Sequence, residues 1–173
     1  MHLRMELIPY SQFAKLRLKQ LVAADMNASE DDGYEWLGGC GINEGVRGAD
    51  FFRWEQMPDE TTGFEVYFDL LPNTAARAIL NAIGLPLNPG MKLEQIYSVL
   101  GEPKDKDVFE DRPQSRQIDN FVIGSKQPYH ISCSVHGDDG LIGLSVVRGD
   151  VLSKIQAEEA AFIAELESER GKA

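Results

Sequence analysis

Cysteine is scarce in this chain: Cys40 and Cys133 are the only two in 173 residues. Two cysteines cannot build the disulfide framework of a small secreted scaffold, and the plain expectation is two unpaired thiols in a reducing compartment. Long apolar runs are also missing at the start. Between Met1 and Leu21 the residues Arg4, Glu6, Lys15, Arg17 and Lys19 interrupt every hydrophobic stretch. A secretory signal needs an unbroken run and a membrane span a much longer one, so the expectation is a cytoplasmic protein with no membrane association. Positive charge is short as well. Lys and Arg number 17 against 28 Asp and Glu, for a formal net charge of −11. Phosphate contacts need clustered cations, so this balance argues against a broad nucleic-acid or anionic-membrane surface.

What is present is enough for one ordinary domain. The chain is 43% hydrophobic and 26% charged, so it can bury a sizeable core. No internal repeat and no long linker divides it, so residues 1–173 read as a single domain.

The acidic excess is concentrated. Residues 31–70 carry ten carboxylates against Arg47 and Arg53. Eight aromatics share that stretch: Tyr34, Trp36, Phe51, Phe52, Trp54, Phe64, Tyr67 and Phe68. An acidic rim around an exposed aromatic has the composition of a binding hot spot, and its field would steer a basic partner. A solvated acidic face that keeps the protein soluble has the same composition.

Ser11 is placed to cap a helix running to about Met26, with Phe13, Ala14, Leu18, Leu21 and Val22 as its apolar stripe. Five glycines between Gly38 and Gly48 read as irregular backbone. A hairpin is expected from Phe51–Met57 and Gly63–Leu70 around the turn Pro58 to Thr62. In its second strand Phe64, Val66, Phe68 and Leu70 alternate with polar or outward positions. Helices are expected from Asn73 or Thr74 to Ala82, and after Pro89-Gly90 with Leu93, Ile96, Tyr97 and Leu100 inward. Short strands follow near Lys106–Phe109 and Gln117–Ile123. The clearest hairpin is Tyr129–Val135 with Leu141–Val147. Val151, Leu152, Ile155, Phe162, Ile163 and Leu166 mark a C-terminal helix over about 150–167 with an acidic outer face, and 168–173 as a fraying tail. The pattern is that of an α+β fold, one antiparallel sheet with helices packed mainly on one side.

Chemistry-bearing motifs test poorly. His130, Cys133 and His136 have the residue types of a metal site. On a strand, however, Cys133 points away from both histidines, which stand roughly 20 Å apart at about 3.3 Å per residue. Gly39-Cys40-Gly41-Ile42-Asn43-Glu44-Gly45 brushes a dinucleotide fingerprint, but Glu44 holds the third glycine's place and would repel a pyrophosphate. A calcium loop starting at Asp105, with Asp107 and Asp111, would need an oxygen ligand at Phe109 and a glycine at Glu110. No catalytic residue, cofactor or metal is assigned on these grounds. Cys40, in the glycine-rich stretch, is the one cysteine placed to be exposed.

The most patterned segment is Asn88 to Pro103. A Pro-Gly turn launches a short helix anchored by Ile96 and Leu100 and ended by Gly101 and Pro103. It resembles the helix opening of small α+β modules in the outer-membrane assembly lipoprotein family (SmpA/OmlA-like) and in β-lactamase-inhibitor-like proteins. The following strands to Val147 are compatible in layout. The chain is expected to depart from the lipoprotein family, since neither a signal peptide nor a lipidated cysteine is read in its first residues. The resemblance implies a module that binds proteins and has no catalysis of its own. The terminal hairpin, with Gly140-Leu141-Ile142-Gly143-Leu144, is similar to small bacteriocin-immunity proteins.

The expectation is therefore a non-enzymatic, cytoplasmic protein-binding module, in its most concrete form an immunity or inhibitor protein. Its acidic surface would meet a basic partner through Asp31, Asp32, Glu35, Trp36, Asp59 and Glu60, with Trp36 as anchor. The alternative is an enzyme or small-molecule binder with a cleft near residues 38–48.

Overall fold

The computed structural model describes residues 5–22, 34–36, 39–42, 46–110 and 115–172, with 34–36 and 39–42 as backbone alone. Its centre is one antiparallel sheet of eight strands. In chain order these are β1 (Tyr34–Trp36), β2 (Gly39–Ile42), β3 (Ala49–Trp54), β4 (Thr61–Tyr67), β5 (Asp105–Phe109), β6 (Arg116–Ile123), β7 (Tyr129–His136) and β8 (Gly140–Arg148). Their order across the sheet is β1-β2-β3-β4-β8-β7-β6-β5. The last strand therefore inserts beside β4 and joins two meanders. The helices are α1 (Tyr10–Phe13), α2 (Leu18–Leu21), α3 (Asn73–Ile83), α4 (Leu93–Leu100) and α5 (Gly149–Arg170). The fold is α+β.

Strand alternation decides which face is covered. Phe51, Phe64, Val66, Phe121, Ile131, Cys133, Leu144 and Val146 share one core with Phe13 of α1, Leu18 of α2, Ile79, Leu80 and Ile83 of α3, and Ile96 of α4. Helices α1 to α4 thus lie on one side of the sheet. Helix α3 ends in a left-handed Gly84 at φ 76°, and α4 closes on Gly101, as the turn residues require. The Pro89-Gly90 turn is pinned to the start of β8: Gly90 N–H donates to Leu141 O and Leu141 N–H to Met91 O, both at 2.9 Å. Gly140, at φ 72°, permits this approach. A Cβ there would meet the Gly90 carbonyl at 2.3 Å, so no side chain fits.

Four local readings are corrected by tertiary partners. No single helix runs from Ser11 to Met26. Pro9 precedes α1, and the chain extends at Arg17 (φ −132°) before α2, which stops at Leu21. The break brings both Phe13 and Leu18 to full burial. Arg17 Nη1 caps the carbonyls freed at Ala14 (2.9 Å) and Leu16 (2.8 Å), and Thr61 N–H also donates to Ala14 O at 3.0 Å. Within the glycine-rich stretch, Gly39–Ile42 is a strand and not irregular. Gly39 pairs with Trp54 and Gly41 with Phe52, so the ladder to β3 overrides the weak strand preference of glycine. In the first hairpin the alternation stops at Tyr67, where the chain turns, leaving Leu70 43% exposed. Finally, α5 buries Gly149, Val151 and Ile155, while Phe162, Ile163 and Leu166 are exposed. The helix continues past the expected end to Arg170.

Candidate interaction surface

On the other side of the sheet none of the described residues covers the centre. Glu65 and Tyr67 of β4, Ser145 of β8, Ser132 and Ser134 of β7, and Arg116 and Ile118 of β6 alternate away from the covered core. With Gly143 they line a groove of about 420 Å³. Its floor is made of small side chains, so the groove is wide and shallow. Gly143 keeps it so: a Cβ at that position would lie 2.8 Å from the Val66 carbonyl and 3.8 Å from the Tyr67 ring. Tyr67 stands 41% exposed at one wall and donates a hydrogen bond to Glu65 Oε1 at 2.6 Å. At the opposite side Arg116 stacks over the Phe109 ring at 5.6 Å. The groove thus has a carboxylate and a phenol on the β4 side and a guanidinium on the β6 side.

The acidic segment divides between structure and surface. Glu60 Oε2 lies 3.5 Å from Arg148 Nη1, and Asp150 Oδ2 lies 2.8 Å from Arg148 Nη2. The Arg148 guanidinium is buried and also sits 4.7 Å over the Tyr10 ring. Burial by itself would lower the Arg148 pKa. The hydrogen bonds and charge of Asp150, with the charge of Glu60, overcome that and raise it. Glu60 is therefore a second counter-ion of Arg148, with its side chain still 41% exposed. Asp59 is exposed, and its backbone carbonyl accepts from Arg17 Nη2 at 2.6 Å. Asp31 and Asp32 lie outside the described residues, as do the side chains of Glu35 and Trp36, whose backbone forms β1. Of the described aromatics between Phe51 and Phe68, all but Tyr67 are buried. Tyr67 carries the character sought in Trp36. Its signal in the sequence was the last outward position of β4, next to Glu65.

Cys133 is fully buried, and desolvation with the nearby Asp119 charge pushes its thiol up to about 12. A thiol in that state is a packing residue. His130 and His136 lie on the opposite face, as alternation requires. Burial, then the Lys104 charge, lowers the His130 pKa. His136 Nδ1 reaches Asp139 Oδ2 at 4.0 Å. Among the described residues no three His, Cys, Asp or Glu side chains converge as a metal site. Asp105 accepts from Asn120 Nδ2 at 2.5 Å, and Asp111 lies outside the described residues. The alternative cleft at residues 38–48 rests on side chains of which most lie outside the described residues.

Asp119 was not anticipated. It is fully buried on the covered face and accepts hydrogen bonds from Tyr97 Oη of α4 and from Gln117 Nε2, the latter at 2.5 Å. Desolvation, then the hydrogen bond to Asp119, raises the Tyr97 pKa to about 12. The phenol therefore remains a donor at neutral pH and ties α4 to β6.

Among the described residues no helix is long and apolar enough to cross a membrane. Comparison with family models, curated proteins and solved structures found no match to the chain.

Proposed function

We propose that this protein is a non-enzymatic, cytoplasmic protein-binding module that receives a partner on the open face of its sheet. The observation that carries the reading is the groove at Glu65, Tyr67, Ser132, Ser134 and Ser145, uncovered among the described residues on a sheet whose other face carries α1 to α4 and the main core. Tyrosine beside a carboxylate suits an interface anchor, since a rigid ring gives contact area at small entropic cost and its hydroxyl stays wet. The net charge of −11 favours encounter with a basic partner. Such a partner places a cation at Glu65 and packs an apolar group against Tyr67. In its most specific form the module is an immunity or inhibitor protein, and the partner a basic toxin domain whose activity it blocks.

Capture with the purified chain, followed by titration of the identified partner, tests this. Affinity should fall at least tenfold in Tyr67→Ala and in Glu65→Lys, and should weaken as salt rises from low to physiological. A partner whose affinity ignores both substitutions and salt would overturn the reading.

A further inference from the structure

Helix α5 spans 22 residues, yet only its first two turns are packed. Val151 and Ile155 form a small cluster with Trp54, flanked by Met57. Beyond them every described residue from Gln156 to Lys172 is exposed. The exposed part nevertheless carries Phe162 at 60%, Ile163 at 54% and Leu166 at 41% exposure. At 3.6 residues per turn, Val151, Ile155, Phe162 and Leu166 fall on one stripe, with Ile163 at its edge. The packed face is interrupted for one turn by Glu158 and Glu159 and resumes, uncovered by any described residue, at Phe162 and Leu166. A helix of this length with no tertiary contact is marginal in water, and large apolar side chains on it mark a binding site.

We propose that the distal half of α5 is a docking arm for a basic amphipathic helix of a partner protein. Charge selects the occupant. Glu158 and Glu165 flank one side of the stripe, Glu167 lies beyond the other, and Glu159 and Glu169 sit within it. The arm's cations, Arg170 and Lys172, come at its end. A second copy of this chain would set these carboxylates against their own kind. A helix with a leucine-type seam and Lys or Arg flanks covers the apolar stripe and pairs with the carboxylates together. The arm's root is held in place: Gln56 Nε2 donates to Glu158 Oε1 at 2.5 Å, and Lys154 lies 5.7 Å from the Trp54 ring centroid. This surface is separate from the sheet groove, so either can fail alone.

The test uses the whole chain and two fluorescent 21-residue helical peptides of one leucine seam, flanked by Lys in one and Glu in the other. Anisotropy titrations should show the Lys peptide binding at least tenfold tighter. Phe162→Ala with Leu166→Ala should weaken it at least tenfold at unchanged Tm, and Tyr67→Ala should leave it unaltered. Glu158→Lys with Glu165→Lys should turn the preference toward the Glu peptide. Equal binding of both peptides, or indifference to the Phe162 and Leu166 substitutions, overturns the proposal. So does sedimentation showing a dimer that Phe162→Ala abolishes, because the occupant is then a second copy. A fall in Tm for the Phe162→Ala variant also overturns it, because this chain then covers the stripe itself.

Discussion

Strand β7 carries two unlike surfaces on one backbone. Tyr129, Ile131, Cys133 and Val135 are buried, while His130, Ser132, Ser134 and His136, one residue out of step, are half-exposed. The same contrast recurs along α5, where Ile155 is packed and Phe162, two turns on, is not. In both cases stability is gathered on one side and the other is left for contact. The difference teaches that burial here is a property of position, against α1 to α4 for β7 and against Trp54 for α5, and not of hydrophobicity alone.

The contrast can be broken most strongly from the packed side. Ile131 is fully buried between Phe121 and Val146 across the ladder. Ile131→Ala should cost about 2–5 kcal/mol, read as a drop in the urea midpoint. Next comes Asp119→Ala, which removes the acceptor of the Tyr97 hydroxyl and leaves the Gln117 amide only its 3.2 Å bond to Tyr97 Oη. About 1–3 kcal/mol is expected, and a cycle with Tyr97→Phe should recover part of it. On the open face Ser134→Ala should stay within about 0.5 kcal/mol by the same assay. A large loss there would mean that the groove is structural.

The smallest effect sharpens the comparison through pH. His130 lies on the half-exposed face, yet burial depresses its pKa below 6.5. The unfolded chain then binds more protons than the folded one in the window just below 6.5. Its contribution to stability is present above that value and is lost as pH falls toward the folded pKa. The NMR titration of His130 should have a midpoint below 6.5, and His130→Gln should flatten the acid side of the stability profile.

Much of the fold was legible because local chemistry and tertiary packing agree there. Helix α3 begins at Asn73 and ends at Gly84, and α4 follows the Pro89-Gly90 turn and ends at Gly101, where turn residues act on their own backbone. Strand β7 follows period-two alternation, while its partner β8 is buried at most positions. The site was less legible. Trp36 and Tyr67 are alike in composition and neighbourhood, and only strand register with Gly143 sets Tyr67 at a groove wall. Glu60 reads as a surface charge until Arg148, 88 residues away, is brought against it.

The sequence by itself determined the element types with strong caps or strict alternation, the inward direction of Cys133 and the acidic balance of −11. These depend on residues within a few positions of one another. Tertiary structure decided the break at Arg17, the strand at Gly39–Ile42, the counter-ion role of Glu60, and the exposure of Tyr67, Phe162 and Leu166. The break, the strand and the counter-ion depend on a partner far along the chain, and the exposures on where the described residues leave a side chain uncovered. Backbone preference and side-chain type do not encode that distance.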